Sequence, residues 1–249
     1  MKIAIIGYGS WGKKLYREYC NILGNENVII HDPPQGMVYS EWNTINGVHI
    51  ATPPHTHFDI AKKFLEMRIP VLIEKPMCLR SSECLKLIDL SRKNRTILML
   101  GHIYRYSDAF NKIKKTPQKS MKLVWKHTSR ATNVIWDLLP HVLDICNIIT
   151  GVWPEKLRAV HNDKNAFLIG YVNNIPLSID LSLNYDGKIR DLIIDDERFP
   201  IIEMQTNNTI RSEALEFIHY IGHKVSTPLT DGFLGYITCK LIEDVLRYA

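Results

Sequence analysis

A short apolar run, Ile3-Ala4-Ile5-Ile6, passes directly into Gly7-Tyr8-Gly9-Ser10-Trp11-Gly12, and from there into a segment whose apolar members Trp11, Leu15, Tyr19 and Ile22 recur at helical spacing. Strand, glycine-rich turn and helix in that order open a parallel βαβ unit. The glycines have separate tasks: one makes the tight turn, one lets the backbone approach a pyrophosphate, and one lets helix and strand pack closely, with the phosphate resting on helix N–H groups. A second apolar run ends at Asp32, whose carboxylate suits the hydroxyls of an adenosine ribose. The expected dinucleotide site therefore comprises Gly7, Tyr8, Gly9, Ser10, Trp11, Gly12 and Asp32. Asp32 would repel a 2′-phosphate and no Arg follows to neutralise one, so NAD is favoured over NADP. The competing readings are a glycine-rich turn without a ligand, and an Asp32 that only starts the Pro33-Pro34 turn.

The alternation continues through the first hundred residues. Strands are expected at Lys2–Ile6, Val28–His31, Val48–Ala51, Val71–Glu74 and Ile97–Leu100, and Ile60, Ala61, Phe64 and Leu65 lay a second helical stripe on them. Strands this uniformly apolar are buried on both faces, as in a doubly wound parallel sheet. After Tyr104 the pattern changes, and the polar stretch Thr116–Ser120 leads into a strand near Leu123–Lys126. A boundary is expected there, giving a dinucleotide-binding domain over 1–104 and a second domain over 105–249. In the latter, Ile175, Leu177, Ile179, Leu181 and Leu183 alternate with polar residues, and Asn173-Asn174 and Asp186-Gly187 suit two-residue turns between antiparallel neighbours. Amphipathic helices are expected near Ser212–His223 and Thr230–Tyr248.

Composition removes several functions. The net charge is +5, with 45% apolar and 23% charged residues and no basic tail, which speaks against nucleic-acid binding and mildly for an anionic small molecule. Five dispersed cysteines without a C-x-x-C pair suggest neither a disulfide framework nor zinc, and reduced thiols fit a cytoplasm. No apolar segment has the length of a membrane span.

Three further segments carry chemistry. Ala51-Thr52-Pro53-Pro54-His55-Thr56-His57 lies at a strand end, where ligands of doubly wound sheets collect, so Thr52, Pro53 and His57 are candidates to line the cofactor. The His55-x-His57 pair lacks a third ligand of suitable spacing, and no metal is expected. Glu74-Lys75-Pro76 ends the next strand. Lys75 there is either a solvated surface lysine or an ammonium that hydrogen-bonds a reacting hydroxyl, its pKa lowered by its surroundings. In Asp137-Leu138-Leu139-Pro140-His141, Pro140 belongs in a first helical turn, so a helix is expected to begin near Asp137 with His141 one turn on. A carboxylate one turn from an imidazole suits a general base; the alternative is an N-capping Asp137 beside an ordinary histidine.

Taken in order, Gly7–Gly12, Asp32, Ala51–His57, Glu74-Lys75-Pro76, Gly101–Phe110 (GHIYRYSDAF) and Trp136–Asp144 (WDLLPHVLD) resemble the glucose-fructose oxidoreductase, inositol dehydrogenase and rhizopine-catabolism (Gfo/Idh/MocA) family over nearly the whole chain. The resemblance implies a Rossmann domain followed by an α/β domain whose mostly antiparallel open sheet has helices on one face. It implies that Glu74 and Lys75 border the nicotinamide, that Lys75 and His141 are catalytic with Asp137 their neighbour in the substrate pocket, and that hydride passes between a sugar carbon and NAD. NVIWDLLPH looks most like members acting on nucleotide-linked sugars, and a homo-oligomer built through the helix-free sheet face is implied, although that face of the Ile175–Leu183 strand reads polar. The alternatives on this fold are a dinucleotide-sensing regulator without catalysis and a reductase of a non-sugar substrate. The chain departs from the family in the short span between Asp32 and Gly47, where the usual helix is expected to be missing or reduced to an irregular loop, and in having Thr132-Asn133-Val134 and Leu139 where relatives carry glycines.

Overall fold

Four-residue strands, each too short to stand alone, gain their stability by stacking side by side in one parallel sheet. In the computed structural model the described residues are 1–32, 42, 44–113, 117, 119–201, 208–223 and 228–248. The Pro33-Pro34 turn and parts of the spans after Asp32 and over Thr116–Ser120 lie outside them. Strands β1 (Ile3–Ile6), β2 (Val28–His31), β3 (Gly47–Ile50), β4 (Val71–Glu74) and β5 (Leu98–Gly101) lie in the order β2-β1-β3-β4-β5, all parallel. Helices α1 (Ser10–Leu23), α2 (His57–Glu66) and α3 (Ser81–Asn94) connect them. The order reverses at β1, so the crevice beyond the carboxyl ends of β1 and β3 is the switch point at which such sheets receive ligands.

The expected apolar stripes are the buried ones: Leu15 and Tyr19 on α1, and Ile60, Ala61, Phe64 and Leu65 on α2. Strands β1, β3, β4 and β5 are buried along their length, as expected. The edge strand β2 differs, with Ile29 and Ile30 each 37% exposed. Near that edge Trp42 is buried and sets its ring edge-on to His31 at 5.4 Å and to Phe64 at 5.1 Å. The indole thus packs against both the edge strand and α2.

The chain divides into two units, Met1–Ile103 with Ile210–Cys239, and Tyr104–Thr209 with Lys240–Ala249. The first change of unit falls where a boundary at 104 was expected, but the expected 105–249 domain loses Ile210–Cys239 to the first unit. The reason is packing. Helix α6 (Thr209–His223) places Ala214 and Phe217 in one core with Ile3, Ile5, Leu15, Tyr19, Val28, Leu72 and Met99. Gly47 admits it, since a Cβ there would lie 2.6 Å from Ile221 and 3.1 Å from the Phe217 ring. Just before helix α7 (Gly232–Arg247), the Thr230 carbonyl accepts the Leu100 N–H at 2.7 Å and Asp231 bridges antiparallel to Met99, which covers the far edge of the sheet.

In the second unit, helix α4 (Asp108–Lys112) precedes β6 (Met121–His127), α5 (Val134–Thr150), β7 (Glu155–His161), β8 (Asn165–Val172), β9 (Ile175–Ser182), β10 (Lys188–Ile194) and β11 (Glu197–Pro200). The sheet order is β11-β10-β6-β9-β8-β7, antiparallel except for the central β6–β9 pair. Asn173 and Asn174, at φ 52° and 62°, make the expected tight turn between β8 and β9. The turn at Asp186-Gly187 does not join neighbours, because β6 lies between β9 and β10. A second two-residue turn is at Asp195-Asp196, with φ of 49° and 72°, joining β10 to β11. Helix α5 packs on one face, against β8 and β9.

Phe217→Ala is expected to lower the unfolding free energy by about 3–5 kcal/mol, the range for emptying a buried aromatic site, in a urea titration. An unchanged midpoint would place α6 outside the core of the first unit.

Candidate active site

The glycine turn is shaped by what cannot fit beside it. Gly7 has φ +100°, and a Cβ there would lie 2.7 Å from the Ala51 carbonyl oxygen; a Cβ on Gly12 would lie 2.0 Å from that of Gly7. Either side chain would force the turn away from β3 or the helix away from the turn. Beside Gly9 there is nothing within 4 Å, so this is the open side of the loop. Gly9 caps α1 without a side chain and the first turn of that helix carries no acidic residue, so its N–H groups and dipole are left for an anion. Tyr8 donates its backbone N–H to Asp32 Oδ1 at 2.8 Å, fixing the loop to the end of β2. Tyr8, Gly9, Ser10 and Asp32 are thus assembled at one sheet edge in a form that fits a dinucleotide.

Trp11 and Glu74 point inward instead. The indole Nε1 of Trp11 donates to Glu74 Oε1 at 2.5 Å, and His49 Nε2 lies 3.2 Å from the same oxygen. Burial alone would raise the Glu74 carboxyl, but the hydrogen bond and charge of His49, the Trp11 N–H and the Lys75 ammonium outweigh it and leave its pKa below the usual value. Glu74 is therefore a charged strut under the loop, and Lys75 follows it at the strand end, half-buried. The Lys75–Pro76 peptide is cis.

Thr52 and Pro53 begin the turn that leads into α2. Thr56 Oγ1 donates to Thr52 Oγ1 and is 2.7 Å from the Pro53 carbonyl, which closes that turn on itself. His57 is buried, with Nδ1 2.9 Å from the Pro76 carbonyl and Nε2 2.8 Å from that of Thr52. Burial lowers its pKa, against the pull of those two carbonyls and of Glu74. His57 thus ties the turn after β3 to the segment after Lys75. His55 is exposed, and the two histidines do not converge. Among the described residues, the grouped potential metal-binding atoms are those of His49, Glu74 and Glu213, within 4.8 Å of one another; both His49 nitrogens already face protein partners, Tyr19 OH at 3.2 Å and Glu74.

In the second unit, α5 begins at Val134 rather than near Asp137. Asn133 caps it, its side chain accepting the Trp136 N–H at 3.1 Å, so Asp137 is freed from the capping role and Pro140 falls inside the helix. Asp137 and His141 then lie one turn apart on the same face, both half-buried. The His141 ring stacks on Trp125 of β6, with centroids 5.3 Å apart and planes 5° from parallel, and meets Tyr104 edge-on at 5.4 Å. Arg190 lies over the same indole at 4.4 Å and donates to Tyr104 Oη at 3.3 Å. An imidazole held on two sides has one orientation, which is what a proton-transferring group needs.

Trp125, Arg190, His49 and Glu213 carried no motif, and Tyr104 stands out only as part of GHIYRYSDAF. Trp125 reads in sequence as one more buried strand residue; His49 is a polar residue in an otherwise apolar strand, a signal that could have found it, whereas Glu213 is one of several polar residues in an amphipathic helix. Asp144 has a different task from that of Asp137: fully buried, it accepts from Arg105 Nε at 2.7 Å, while Arg105 Nη2 reaches Asn147 Oδ1 at 2.7 Å. The GHIYRYSDAF segment is thereby anchored to α5.

A doubly wound sheet with a glycine turn at its switch point, followed by a sheet carrying a helix-borne Asp-x-x-x-His, defines a dinucleotide-binding oxidoreductase fold. Residues 34–102 match the sequence model of the GFO_IDH_MocA family, described as an oxidoreductase family with an NAD-binding Rossmann fold. A curated relative, oxidoreductase P35 of Formosa agariphila, is 32% identical over 230 residues, 77% of this chain and 71% of the relative. The UDP-N-acetylglucosamine 3-dehydrogenase of Acidithiobacillus ferrooxidans is 31% identical over 123 residues, 47% of this chain. That match spans 39% of the dehydrogenase's length, and a match to an uncharacterized Streptococcus pneumoniae oxidoreductase spans 52% of it. Among solved structures, the same Acidithiobacillus ferrooxidans enzyme superposes with a TM-score of 0.87 at 20% identity, covering 100% of this chain and 97% of that one. A putative myo-inositol dehydrogenase from Sinorhizobium meliloti 1021 gives 0.80 at 16%, covering 100% and 97%. The chain belongs to the Gfo/Idh/MocA family.

Removing one partner of a buried ion pair strands the other charge, so Asp144→Ala is expected to cost about 3–5 kcal/mol in denaturant unfolding. A loss below about 1 kcal/mol, the level of an exposed pair, would show that Arg105 finds another acceptor.

Proposed function

We propose that the chain is an NAD-dependent dehydrogenase that transfers hydride between the cofactor and a hydroxyl or keto carbon of a sugar or nucleotide-linked sugar. The observation that carries this reading is the Trp11–Glu74 hydrogen bond, which ties the glycine turn to the strand end bearing Lys75. Anion-binding backbone and an ammonium group are thereby held on one edge of one sheet. Gly7–Gly12 would hold the pyrophosphate, Asp32 the adenosine ribose, and Thr52, Pro53 and the Glu74-Lys75 strand end the nicotinamide half. Asp32 favours NAD over NADP, since its carboxylate accepts from ribose hydroxyls and repels a 2′-phosphate. When bound, the nicotinamide supplies the hydride acceptor.

The chain's own residues handle the proton. Lys75 Nζ hydrogen-bonds the reacting oxygen, and a ring nitrogen of His141, fixed by Trp125 and Tyr104, accepts the hydroxyl proton as the carbon gives up hydride; Asp137, one helical turn before His141, is its neighbour. The sugar class is supported by the names of relatives, a UDP-N-acetylglucosamine 3-dehydrogenase and an inositol 2-dehydrogenase, and the surplus of positive charge suits a substrate carrying a diphosphate. Among the described residues no helix is long and apolar enough to cross a membrane. All five cysteines are free thiols, which suits a reducing cytoplasm.

The protein also pairs with a second copy in this reading, through the helix-free face of its six-stranded sheet. That face is more apolar than the β9 sequence implies, because β8 exposes Phe167, Ile169 and Tyr171 and β7 adds Val160 directly across from Phe167.

With NAD and NADP in parallel and a panel of free and nucleotide-linked sugars, NADH formation is expected with at least one sugar. Lys75→Ala and His141→Ala should each lower turnover by about 100-fold or more while NAD affinity holds. Turnover unchanged in both variants overturns the assignment, and no reduction of either cofactor overturns the activity. Phe167→Glu with Ile169→Glu is expected to convert an oligomer into a monomer in sedimentation; a wild-type monomer would overturn the pairing.

A further inference from the structure

Four elements of the first unit send polar side chains into one space from which water is excluded: Tyr19 from α1, His49 from β3, Glu74 from β4 and Glu213 from α6. Glu213 and His49 are fully buried and Glu74 is 8% exposed. One nitrogen or oxygen of each of His49, Glu74 and Glu213 lies within 4.8 Å of the others. The donors in this space serve Glu74. An ionised carboxylate only accepts, so His49 Nε2 carries a proton toward Glu74, while Nδ1 lies 3.2 Å from Tyr19 OH. The Trp11 indole donates to Glu74 as well. Among the described residues no side chain donates to either oxygen of Glu213, and the His102 backbone amide gives it weak support.

Two carboxylates this close, both removed from water, do not both keep a charge; the one without donors takes a proton or a cation. A divalent cation would need a nitrogen lone pair, whereas both His49 nitrogens face protein partners and Nε2 spends its proton on Glu74. We propose that Glu213 is a proton-bearing carboxylic acid that leaves Glu74 the single charged carboxylate behind Lys75, and so serves as a positioning residue for that lysine. The consequence for Lys75 rests on the function proposed above; the protonation state of Glu213 does not.

The balance of the groups around Glu213 favours the proton. Burial raises the Glu213 pKa well above the ordinary glutamate value, and the charges of Glu74 across the space and of Glu216 on the same helix add to it, while the His102 amide pulls modestly back. Tyr19, raised first by burial and then by the charge on Glu74, stays neutral.

The test is carbon NMR of the full-length protein labelled at glutamate Cδ, at neutral pH. One resonance is expected at the position of an un-ionised carboxylic acid, present in the wild type and absent from Glu213→Gln. Resonances all at carboxylate positions would overturn the proposal, as would one equivalent of bound zinc or magnesium by elemental analysis that Glu213→Gln loses. The fold keeps a proton that the unfolded chain releases above the ordinary glutamate value, so the wild type should lose melting temperature relative to Glu213→Gln as pH rises from about 5 to about 8; a constant difference overturns it. For the positioning role, Glu213→Ala is expected to lower kcat about tenfold with KM for NAD within about twofold, and Glu213→Gln to restore most of the loss. Equal losses in both variants would overturn that role. If Glu213→Ala does not fold, the NMR and pH arms decide with Glu213→Gln alone, and because they need no turnover they stand even where no sugar is oxidised.

Discussion

A single hydrogen bond, from the Trp11 indole to Glu74, joins the two halves of the first unit's chemistry. Trp11 lies in the first turn of α1 and Glu74 at the last position of β4, sixty-three residues apart. Their contact means that the loop shaped to receive phosphate and the strand end that presents Lys75 move as one body. The demand spreads outward from there. Glu74 keeps its charge only because His49 and Trp11 face it, His49 is orientated by Tyr19, and Tyr19 is held by a core that α6 completes with Ala214 and Phe217. A surface-looking motif thus depends on the deepest packing of the unit, and on a helix contributed from far along the chain.

The second unit solves a related problem with rings and one ion pair. Trp125 and Tyr104 confine the imidazole of His141 by stacking and edge contact, which fixes its plane. Arg105 bridges Asp144 and Asn147 and so sets the register of α5 against the segment that precedes it.

The parallel sheet was legible because strand, glycine turn and helix follow one another at fixed spacing, and each apolar stripe found its face. Local rules failed where a distant element intervened. Asp186-Gly187 has the chemistry of a tight turn, yet β6 inserts between the strands it connects. Asn133 captured the helix start because its side chain reaches the Trp136 amide, which no count of helical positions from Pro140 could reveal. The second unit's extent was misjudged for the same reason: α6 is amphipathic in sequence, and nothing local says which sheet its apolar face will cover. For the candidate site, the glycines, Asp32, Lys75, Asp137 and His141 stand out as motifs; His49 and Glu213 do not, because a buried polar cluster is a property of juxtaposition rather than of spacing.

Pro140 inside α5 has an effect on the backbone itself. Lacking an N–H, it cannot complete the helical bond to the carbonyl of Trp136, one residue before Asp137 and little more than one turn before His141. The helix is thereby one main-chain bond short in the same turn that presents a carboxylate and an imidazole. That gap falls inside the helix rather than in its first turn because Asn133 moves the start of α5 to Val134.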